Sequence, residues 1–448
     1  MNKMDWNSLV NDKRFGLEDY HDPRRSAIRT DFRRDFDRLV FSSPFRRLQN
    51  KTQVFPLPGS IFVHNRLTHS MEVACVGRSL ADEVAIALRA KHVNDCPADL
   101  FDHLRDIVSA ACLAHDLGNP PFGHSGEKAI STFFSEGEGH TLRERLTAEQ
   151  WADFTHFEGN ANAFRVLTHQ FKGRRRGGFA MTYSTLASIV KYPYEATLAH
   201  RGKFGFFTSE REDFCKVADE LGMLRLADPD GRIAYARHPL VYIVEAADDI
   251  CYEVMDIEDA HKLRTLSTEE VTEAFLAFFD EDRRAEMCRA MQHVSDPNEK
   301  VAYMRSCVIG ILVENCARAF IEHEDEILSG TMQGSLIDHI GEREHAGYER
   351  CTDISWSKIY HSADVVDIEL AGNRIITYLL ERLTHAVLNP DLNYSRLLLA
   401  KFPEQYDTAA PTLYGRIQAV LDHVSAMTDI YALDLYRKLT GIQLRIEN

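Results

Sequence analysis

Residues 114–127 read AHDLGNPPFGHSGE, an apolar helix end followed by polar residues and a double proline. Apolar side chains recur at helical spacing over residues 104–117, so we expect a helix that closes at His115 and Asp116. Asn119 and the two prolines after it force the chain out of that helix. A second helix is expected to start near Gly123. The stretch therefore predicts two helices, with histidine and carboxylate side chains gathered around the turn between them.

Helical periodicity dominates the rest of the chain, with further candidate helices over residues 67–90, 239–257, 300–325 and 364–388. Strand signals are few and short. Residues 203–207 and 232–235 are the best candidates, with a small hairpin around Asp230 and Gly231. We expect a mainly α fold, a helical bundle with additional C-terminal helices and at most a small β-hairpin.

The composition excludes some classes of protein. The chain has 448 residues, of which 44% are hydrophobic, enough for a sizeable core. Its 52 Lys and Arg against 68 Asp and Glu give a net charge of −16, which argues against a protein coated with nucleic acid. A local basic groove is still compatible with that charge. Residues 172–178, KGRRRGG, are interpreted either as a solvated loop or as a contact for phosphate or nucleic acid.

Cysteine usage and the N-terminus bear on the compartment. Nine cysteines without a C-x-x-C pair favour free thiols in a reducing compartment. The first residues lack the apolar segment of a secretion signal, and no run of about 18 apolar residues occurs. We therefore expect a cytoplasmic protein with no membrane partner.

Three separate places bring histidine and aspartate into apolar helices: His69 near a helix start, His115 and Asp116 at a helix end, and Asp248 within a helix. Taken alone, each is typical of a satisfied core residue. A buried carboxylate without a partner is costly, however, and a divalent cation removes that cost. Two imidazoles and two carboxylates suit Mn²⁺, Mg²⁺, Fe²⁺ or Co²⁺ better than a closed structural zinc. Such a shell leaves positions for water and a phosphate oxygen, as metal-assisted hydrolysis requires.

The helix that carries Asp248 presents a second pattern. Asp248, Tyr252 and Asp256 follow one another at intervals of four residues, so they share one helix face. We interpret this face as a platform for a sugar, with the ring against the ribose and Asp256 accepting a hydroxyl. An exposed acidic face is the alternative.

A histidine and a glutamate begin the helix after the double proline. His124 and Glu127 are three residues apart, so their side chains are expected to be neighbours. A carboxylate beside an imidazole orients the ring and raises its pKa, and a protonated histidine next to a phosphate is a general acid. An ordinary surface pair is the alternative.

Eight stretches carry a recognisable pattern: 33–55 (RRDFDRLVFSSPFRRLQNKTQVF), 65–74 (NRLTHSMEVA), 114–127, 157–163 (FEGNANA), 186–192 (LASIVKY), 203–210 (KFGFFTSE), 245–256 (EAADDICYEVMD) and 368–375 (IELAGNRI). In this order they resemble the HD-domain phosphohydrolase superfamily and, more narrowly, the bacterial deoxyguanosine triphosphate triphosphohydrolases (dGTPases).

The resemblance implies an HD-type catalytic core over residues 30–265 and a C-terminal α-helical region over residues 266–448, packed on the core as one unit. It also implies hydrolysis of a deoxynucleoside triphosphate, with dGTP as the first expected substrate, to a deoxynucleoside and inorganic triphosphate. A metal-activated water would attack the α-phosphorus. The implied metal ligands, for Mn²⁺ or Mg²⁺, are His69, His115, Asp116 and Asp248.

Matching by motif also assigns the chemistry at the phosphates. His124 would protonate the departing 5′-oxygen, with Glu127 as its partner. A triphosphate carries about four negative charges near neutral pH, so fixed polar and cationic side chains are needed to hold it. The residues that fall at these positions are Arg66, Asn160, Lys191 and Lys203.

Sugar and base contacts follow from the same matching. Gln53 and Asp256 would address the sugar 3′-hydroxyl, and Tyr252 would leave no room for a 2′-hydroxyl. A base pocket is assigned to Tyr360, Val365 and Glu369 on an expected helix. Glu369 is interpreted as an acceptor for guanine N1–H and N2–H₂ or, alternatively, as a surface helix residue.

The chain departs from some relatives at two positions. Asn119 and Phe157 stand where those relatives have a histidine, so the His124–Glu127 pair would carry most of the proton chemistry. The resemblance also implies a homo-oligomer, hexameric or tetrameric, and a dNTP or single-stranded DNA effector in some members. Two alternatives stay open: another HD enzyme, such as a 5′-nucleotidase or phosphodiesterase, and a non-catalytic sensor that binds nucleotide or single-stranded DNA.

Overall fold

α-Helices account for most of the chain in the computed structural model, which describes residues 3–19, 29–55 and 63–442. In chain order they are α1 Trp6–Leu9, α2 Asp31–Val40, α3 Ser43–Arg47, α4 Arg66–Lys91, α5 Leu104–Ala114, α6 Gly123–Ser135, α7 Ala148–Thr155, α8 Gly159–Thr168, α9 Tyr183–Ile189, α10 Arg211–Glu220, α11 Pro239–Lys262, α12 Thr268–Leu276, α13 Glu281–Met291, α14 Pro297–Glu322, α15 Glu324–Leu328, α16 Glu342–Ile354, α17 Ala363–Leu388, α18 Asn393–Leu399, α19 Leu413–Ser425 and α20 Asp429–Thr440. Short 3₁₀ turns lie at Leu48–Asn50, Leu100–His103, Glu138–Arg145, Ala196–Leu198, Thr208–Glu210 and Ile337–His339, and a π turn at Ser355–Ile359. The mainly α prediction is confirmed.

The five long helices predicted from periodicity are α4, α5, α11, α14 and α17. α11 begins at Pro239, where a missing N–H costs nothing, and the side chain of His238 accepts from the N–H of Leu240. It continues five residues beyond the predicted end, to Lys262. α5 ends at Ala114, three residues before its predicted end, so His115 caps the helix instead of lying within it.

The two predicted strands are reduced to isolated bridges in the described part of the chain. Around Gly231, residues 224–226 face residues 234–236 through an antiparallel bridge from Arg225 to Tyr235. Residues 203–207 do not form a strand, because their phenylalanines divide between two cores: Phe206 packs in the first, and Phe204 and Phe207 in the second. In a strand, successive side chains point regularly to opposite faces, and this distribution of the phenylalanines does not follow that pattern.

The first core is formed by α4, α5, α11 and α14, packed side by side. α5 is buried from Ile107 to the end of the helix, on every face. Gly77 of α4 permits the close approach, because a Cβ at this position would lie 2.6 Å from Cys112 Sγ on α5. This packing brings the ends of α4 and α5 and the middle of α11 together.

The second core joins α6 and α7 to the C-terminal helices α17, α19 and α20. Phe133 and Phe134 of α6 pack there with Ile376 and Leu380 of α17. The turn between α5 and α6 therefore crosses from one core to the other. Both cores draw on residues before and after position 265, and the division of the chain at that position stays a prediction.

Three smaller findings concern the surface and the thiols. Residues 172–176 form an exposed loop in which the Arg174 guanidinium donates to Gln405 Oε1 at 2.8 Å. All nine cysteines are free, as expected. None of the described helices combines the length and the apolar character that a membrane span requires.

Candidate active site

Three predicted ligands converge where the helices of the first core meet. His69 lies in the first turn of α4, His115 caps α5, and Asp248 lies in the middle of α11. One ligand atom from each lies within 4.8 Å of the other two. Asp248 Oδ1 is 2.9 Å from His69 Nε2 and 3.5 Å from His115 Nε2.

The hydrogen bonds around these ligands fit a bound cation. His115 Nδ1 donates to the carbonyl of Cys112 at 2.6 Å, so Nε2 of the neutral ring carries a lone pair and faces Asp248. A lone pair opposite a carboxylate is repulsive unless a cation or a proton lies between them. Burial works against a charged imidazole, yet the carboxylates of Asp116 and Asp248 raise the pKa of His115 to about 9. Three N and O donors in a buried, negatively charged setting are suited to a divalent metal ion.

Asp116, the fourth predicted ligand, is turned towards other partners. Its Oδ2 accepts from Arg66 Nη1 at 2.8 Å, and its Oδ1 accepts from the side chain of Asn119. Oδ1 is nevertheless only 3.7 Å from His115 Nε2. Asp116 therefore borders the three-residue cluster, and its role as a ligand stays a prediction. Asn119, one of the two departures from some relatives, serves here to orient this carboxylate.

Arg66, predicted to bind phosphate, is 3% exposed and neutralises Asp116. Burial alone would lower its pKa, but Asp116 raises it. Arg66 Nε has no hydrogen-bond partner in the described part of the chain. The guanidinium thus keeps one buried N–H unsatisfied.

A cavity of about 220 Å³ opens in front of the cluster. It brings together eight of the predicted residues: His115, Asp116, His124, Glu127, Asn160, Lys191, Lys203 and Asp248. These residues come from six separate places in the chain. Two of the three candidate metal ligands, a further histidine and two lysines therefore share one pocket.

His124 reaches this cavity through an unusual turn. Phe122 and Gly123, just before it, both have left-handed backbones, with φ of 63° and 57°. For a residue other than glycine that conformation costs roughly 1–2 kcal/mol, so the surrounding structure must hold it. Gly123 is required here because a Cβ would lie 2.5 Å from Arg66 Nη2.

Glu127 is buried on the same helix, but the predicted contact with His124 is not formed among the described residues. Glu127 Oε1 accepts from the N–H of Gly159 at 2.8 Å, and Oε2 lies 3.8 Å from Lys203 Nζ. The spacing of three residues does place both side chains on one face of α6. The N–H at the start of α8 provides a better partner for the buried carboxylate than the exposed imidazole does.

Two lysines are held in the cavity by carboxylates. Lys203 donates to Glu158 at 2.8 Å, and Lys191 lies 3.1 Å from Glu245. Burial would lower the pKa of each lysine, but Glu245 raises that of Lys191, and Glu127 and Glu158 raise that of Lys203, above the usual range. Both cations are therefore charged at neutral pH.

Asn160, predicted to hold phosphate, uses its amide on the backbone instead. Its Nδ2 donates to the carbonyl of Ile189 at 2.6 Å, and its Oδ1 accepts from the N–H of Lys191 at 3.0 Å. Asn160 thus fixes the segment that carries Lys191. A direct contact with substrate stays a prediction.

Glu158 and Glu245 are cavity residues that the sequence analysis did not select. Glu158 caps α8 through the N–H groups of Asn160 and Ala161. Burial, together with Glu127, raises the pKa of Glu158 to about 7. Two sequence signals point to these residues: Glu158 lies directly before a helix start, and Glu245 lies one turn before Asp248. Phe157, the second departure from some relatives, is buried in the second core.

On the helix face interpreted as a sugar platform, Asp256 is buried and Asp248 and Tyr252 are half-buried, so this face is not fully exposed; its role with a sugar stays a prediction. Asp256 is 4% exposed and accepts from Tyr360 Oη at 2.8 Å. The rings of Tyr252 and Tyr360 are stacked, with centroids 5.9 Å apart. Burial raises the pKa of Asp256 well above its usual range. Gln53 Oε1 is buried and has no hydrogen-bond partner among the described residues, so it can accept a hydrogen bond from a ligand hydroxyl.

The remaining base-pocket residues lie on α17. Val365 is buried in the first core, and Glu369 is exposed. The carbonyl of Glu369 accepts from Ser125 Oγ at 2.9 Å, next to His124. α17 is therefore joined to the start of α6, and the base contacts stay a prediction.

Comparison with known proteins agrees with this arrangement. Residues 66–204 match the HD domain family, and residues 345–438 match the phosphohydrolase-associated domain. Deoxyguanosinetriphosphate triphosphohydrolase-like proteins of Synechocystis sp. and Pseudomonas aeruginosa are 36% and 37% identical to this chain; each alignment covers 98% of the chain, and 100% and 99% of the respective relative. A deoxyguanosinetriphosphate triphosphohydrolase of Yersinia enterocolitica is 29% identical over 92% of the chain and 94% of its own length. The chain therefore belongs to the deoxyguanosinetriphosphate triphosphohydrolase family of HD-domain phosphohydrolases.

Proposed function

We propose that this phosphohydrolase is a metal-dependent dNTP triphosphohydrolase that releases inorganic triphosphate, with dGTP as the first candidate substrate. One observation carries the proposal: the cavity is lined by two residues of the candidate metal site and by Lys191, Lys203 and His124. A protein with a net charge of −16 needs such a local concentration of cations to bind a triphosphate.

His69, His115 and Asp248 would hold the cation, with Asp116 beside them. A divalent ion bound there would act as a Lewis acid on a phosphate oxygen and increase the acidity of water. The mixed N and O donors favour Mn²⁺ or Mg²⁺, with Fe²⁺ and Co²⁺ as alternatives.

The other cavity residues would act on the substrate directly. Lys191 and Lys203 bind phosphate oxygens, and the carboxylates that now pair with them keep both lysines charged before substrate arrives. Water attacks the α-phosphorus, and His124 donates a proton to the departing 5′-oxygen. Glu127 accepts from the N–H at the start of α8 and lies beside Lys203, so in this proposal it positions these two groups.

We also propose that the enzyme is cytoplasmic, which the nine free thiols support. We further propose a homo-oligomer, a hexamer or a tetramer, which light scattering measures directly. Exposed apolar side chains such as Trp356, Leu370 and Leu397 are compatible with contacts between subunits.

Product analysis with each of the four dNTPs tests the proposed function. The purified protein is assayed with Mn²⁺ and with Mg²⁺, after EDTA treatment and re-addition of metal, and with a second dNTP or single-stranded DNA as effector. Triphosphate as the first product supports the proposal. Pyrophosphate or orthophosphate as the first product would identify another HD nucleotidase or phosphodiesterase, and binding without turnover under all conditions would identify a sensor.

Tyr252 is expected to determine the preference for deoxyribose. In Tyr252→Ala, the preference for dGTP over GTP, as a ratio of kcat/KM values, should fall by about 10–100-fold, because the ring no longer excludes a 2′-hydroxyl. Tyr252→Phe is the matched control, since it keeps the ring and should keep the preference. An unchanged ratio in Tyr252→Ala would place sugar selection elsewhere.

A further inference from the structure

A single carboxylate joins the start of α20 to two other segments, the turn before α6 and the segment that contains Thr52. Asp429 Oδ1 accepts from the N–H of Phe122 at 2.9 Å, and Oδ2 accepts from the N–H of Thr52 at 2.8 Å. Asp429 is 7% exposed, so both bonds are shielded from water. One of these segments leads into His124, and the other leads into Gln53.

Lys51 adds a second tie between the same three segments. Its side chain is 2% exposed, and its ammonium group donates to the carbonyls of Asn119 and Ser425. Asn119 lies in the turn that follows α5, and Ser425 is the last residue of α19. An ammonium group this deeply buried is kept only where its hydrogen bonds are satisfied, so the contact is specific.

The turn at Phe122 depends on such contacts. The left-handed backbone of Phe122, unlike that of Gly123, is strained and persists only where neighbouring groups hold it. Asp429 accepts a hydrogen bond from the N–H of Phe122, and Gly372 of α17 leaves room for the Phe122 side chain, because a Cβ there would lie 2.8 Å from it.

His124 itself has no hydrogen bond or ion pair in the part of the chain that the structure describes. No side-chain partner holds its imidazole, so the backbone of the turn sets the point from which the side chain enters the cavity. Gln53 resembles it in this respect, since its Oε1 is buried and unpartnered among the described residues.

We propose that Asp429 is a positioning residue for the phosphohydrolase reaction, and that Asp429 and Lys51 together connect the C-terminal helices to the turn before His124 and to the segment that contains Gln53. The inference rests on the proposed function, since it takes His124 to act on the substrate. Asp429 does not touch substrate; it holds the N–H groups on which the two segments depend.

Steady-state kinetics of Asp429→Ala and Asp429→Asn tests this inference on the full-length protein. A carboxylate accepts from both N–H groups, whereas an asparagine side chain has one oxygen and can accept from only one with good geometry. We expect kcat on the preferred dNTP to fall about 10–100-fold in Asp429→Ala and by less in Asp429→Asn, since small displacements of a reacting group have effects of this size. Metal content should remain that of the wild type.

Asp153→Asn is the matched control. Asp153 of α7 is also a buried carboxylate, and it accepts from the N–H of Thr208 and from Tyr414 Oη, away from the cavity. This variant should lose thermal stability as Asp429→Asn does and retain the wild-type kcat. Lys51→Met, which keeps the length of the side chain without its charge, should lower kcat in the same direction as Asp429→Ala.

The outcomes separate the two proposals. A wild-type protein that releases no triphosphate overturns the proposed function, whichever variants are tested. An active wild type with kcat within about twofold in both Asp429 variants overturns the positioning role, and so does an equal loss of kcat in Asp153→Asn. If Asp429→Ala does not fold, Asp429→Asn decides the result by its kcat at the temperature where it is folded.

Discussion

Replacing Asp248 with alanine is expected to remove both the bound metal and the activity. Asp248 is the one carboxylate in the three-residue cluster found among the described residues, and its Oδ1 faces both imidazoles, at 2.9 Å and 3.5 Å. Two neutral imidazoles alone hold a hard divalent cation weakly. Because the metal contributes several kcal/mol to such a reaction, turnover should fall by about 10³-fold or more.

Metal analysis of the dialysed protein, alongside turnover, measures both effects of Asp248→Ala. Asp249→Asn is the matched control, because Asp249 is the next residue on α11 and points about 100° away from its neighbour. Asp249 is half-buried and is not part of the cluster. A metal content in Asp248→Ala equal to that of the wild type would contradict the ligand assignment.

His124→Ala should stop turnover while substrate still binds. A general acid typically contributes about 10²–10⁴-fold to the rate, and the cavity keeps Lys191, Lys203 and the metal cluster to hold the triphosphate. The expected result is therefore a large loss of kcat with a similar dissociation constant. Single-turnover rates and equilibrium binding of a non-hydrolysable dNTP analogue measure the two quantities separately.

His385→Ala provides the comparison for a histidine outside the cavity. His385 is exposed near the end of α17 and should tolerate the change without loss of rate. Full activity in His124→Ala would overturn its role as the acid, and Glu158, whose pKa of about 7 suits proton transfer, would become the next candidate. Equal losses of binding and of kcat would show that His124 holds substrate instead.

The long helices were predictable because each carries a sustained apolar period and a start or stop signal. α11 opens at Pro239, and α5 ends at Ala114, five residues before Asn119 and the prolines that follow it. The short extended segments were less predictable. Phe204, Phe206 and Phe207 are apolar enough for a strand, but only the packed structure shows that they are shared between two cores.

Residue type and spacing predicted which residues belong to the site, but they predicted the contacts between those residues less well. His69, His115 and Asp248 were expected to converge, and they do. Glu127 was expected to orient His124, but the start of α8 binds it instead, at Gly159. Spacing along one helix cannot reveal this partner, because the competing N–H lies on a different helix 32 residues further along the chain.

By itself, the sequence determined the helical class, the long helices and the candidate metal ligands that converge in the first core. These features are local: periodicity, proline positions and the need to neutralise buried carboxylates are all properties of short stretches. Only the tertiary structure decided which hydrogen-bond donors the buried carboxylates accept from. Asp116 pairs with Arg66, Asp256 with Tyr360, and Asp429 with two loop N–H groups. The reason is physical: a buried charge takes the donors that packing brings within about 3 Å, and those donors come from distant parts of the chain.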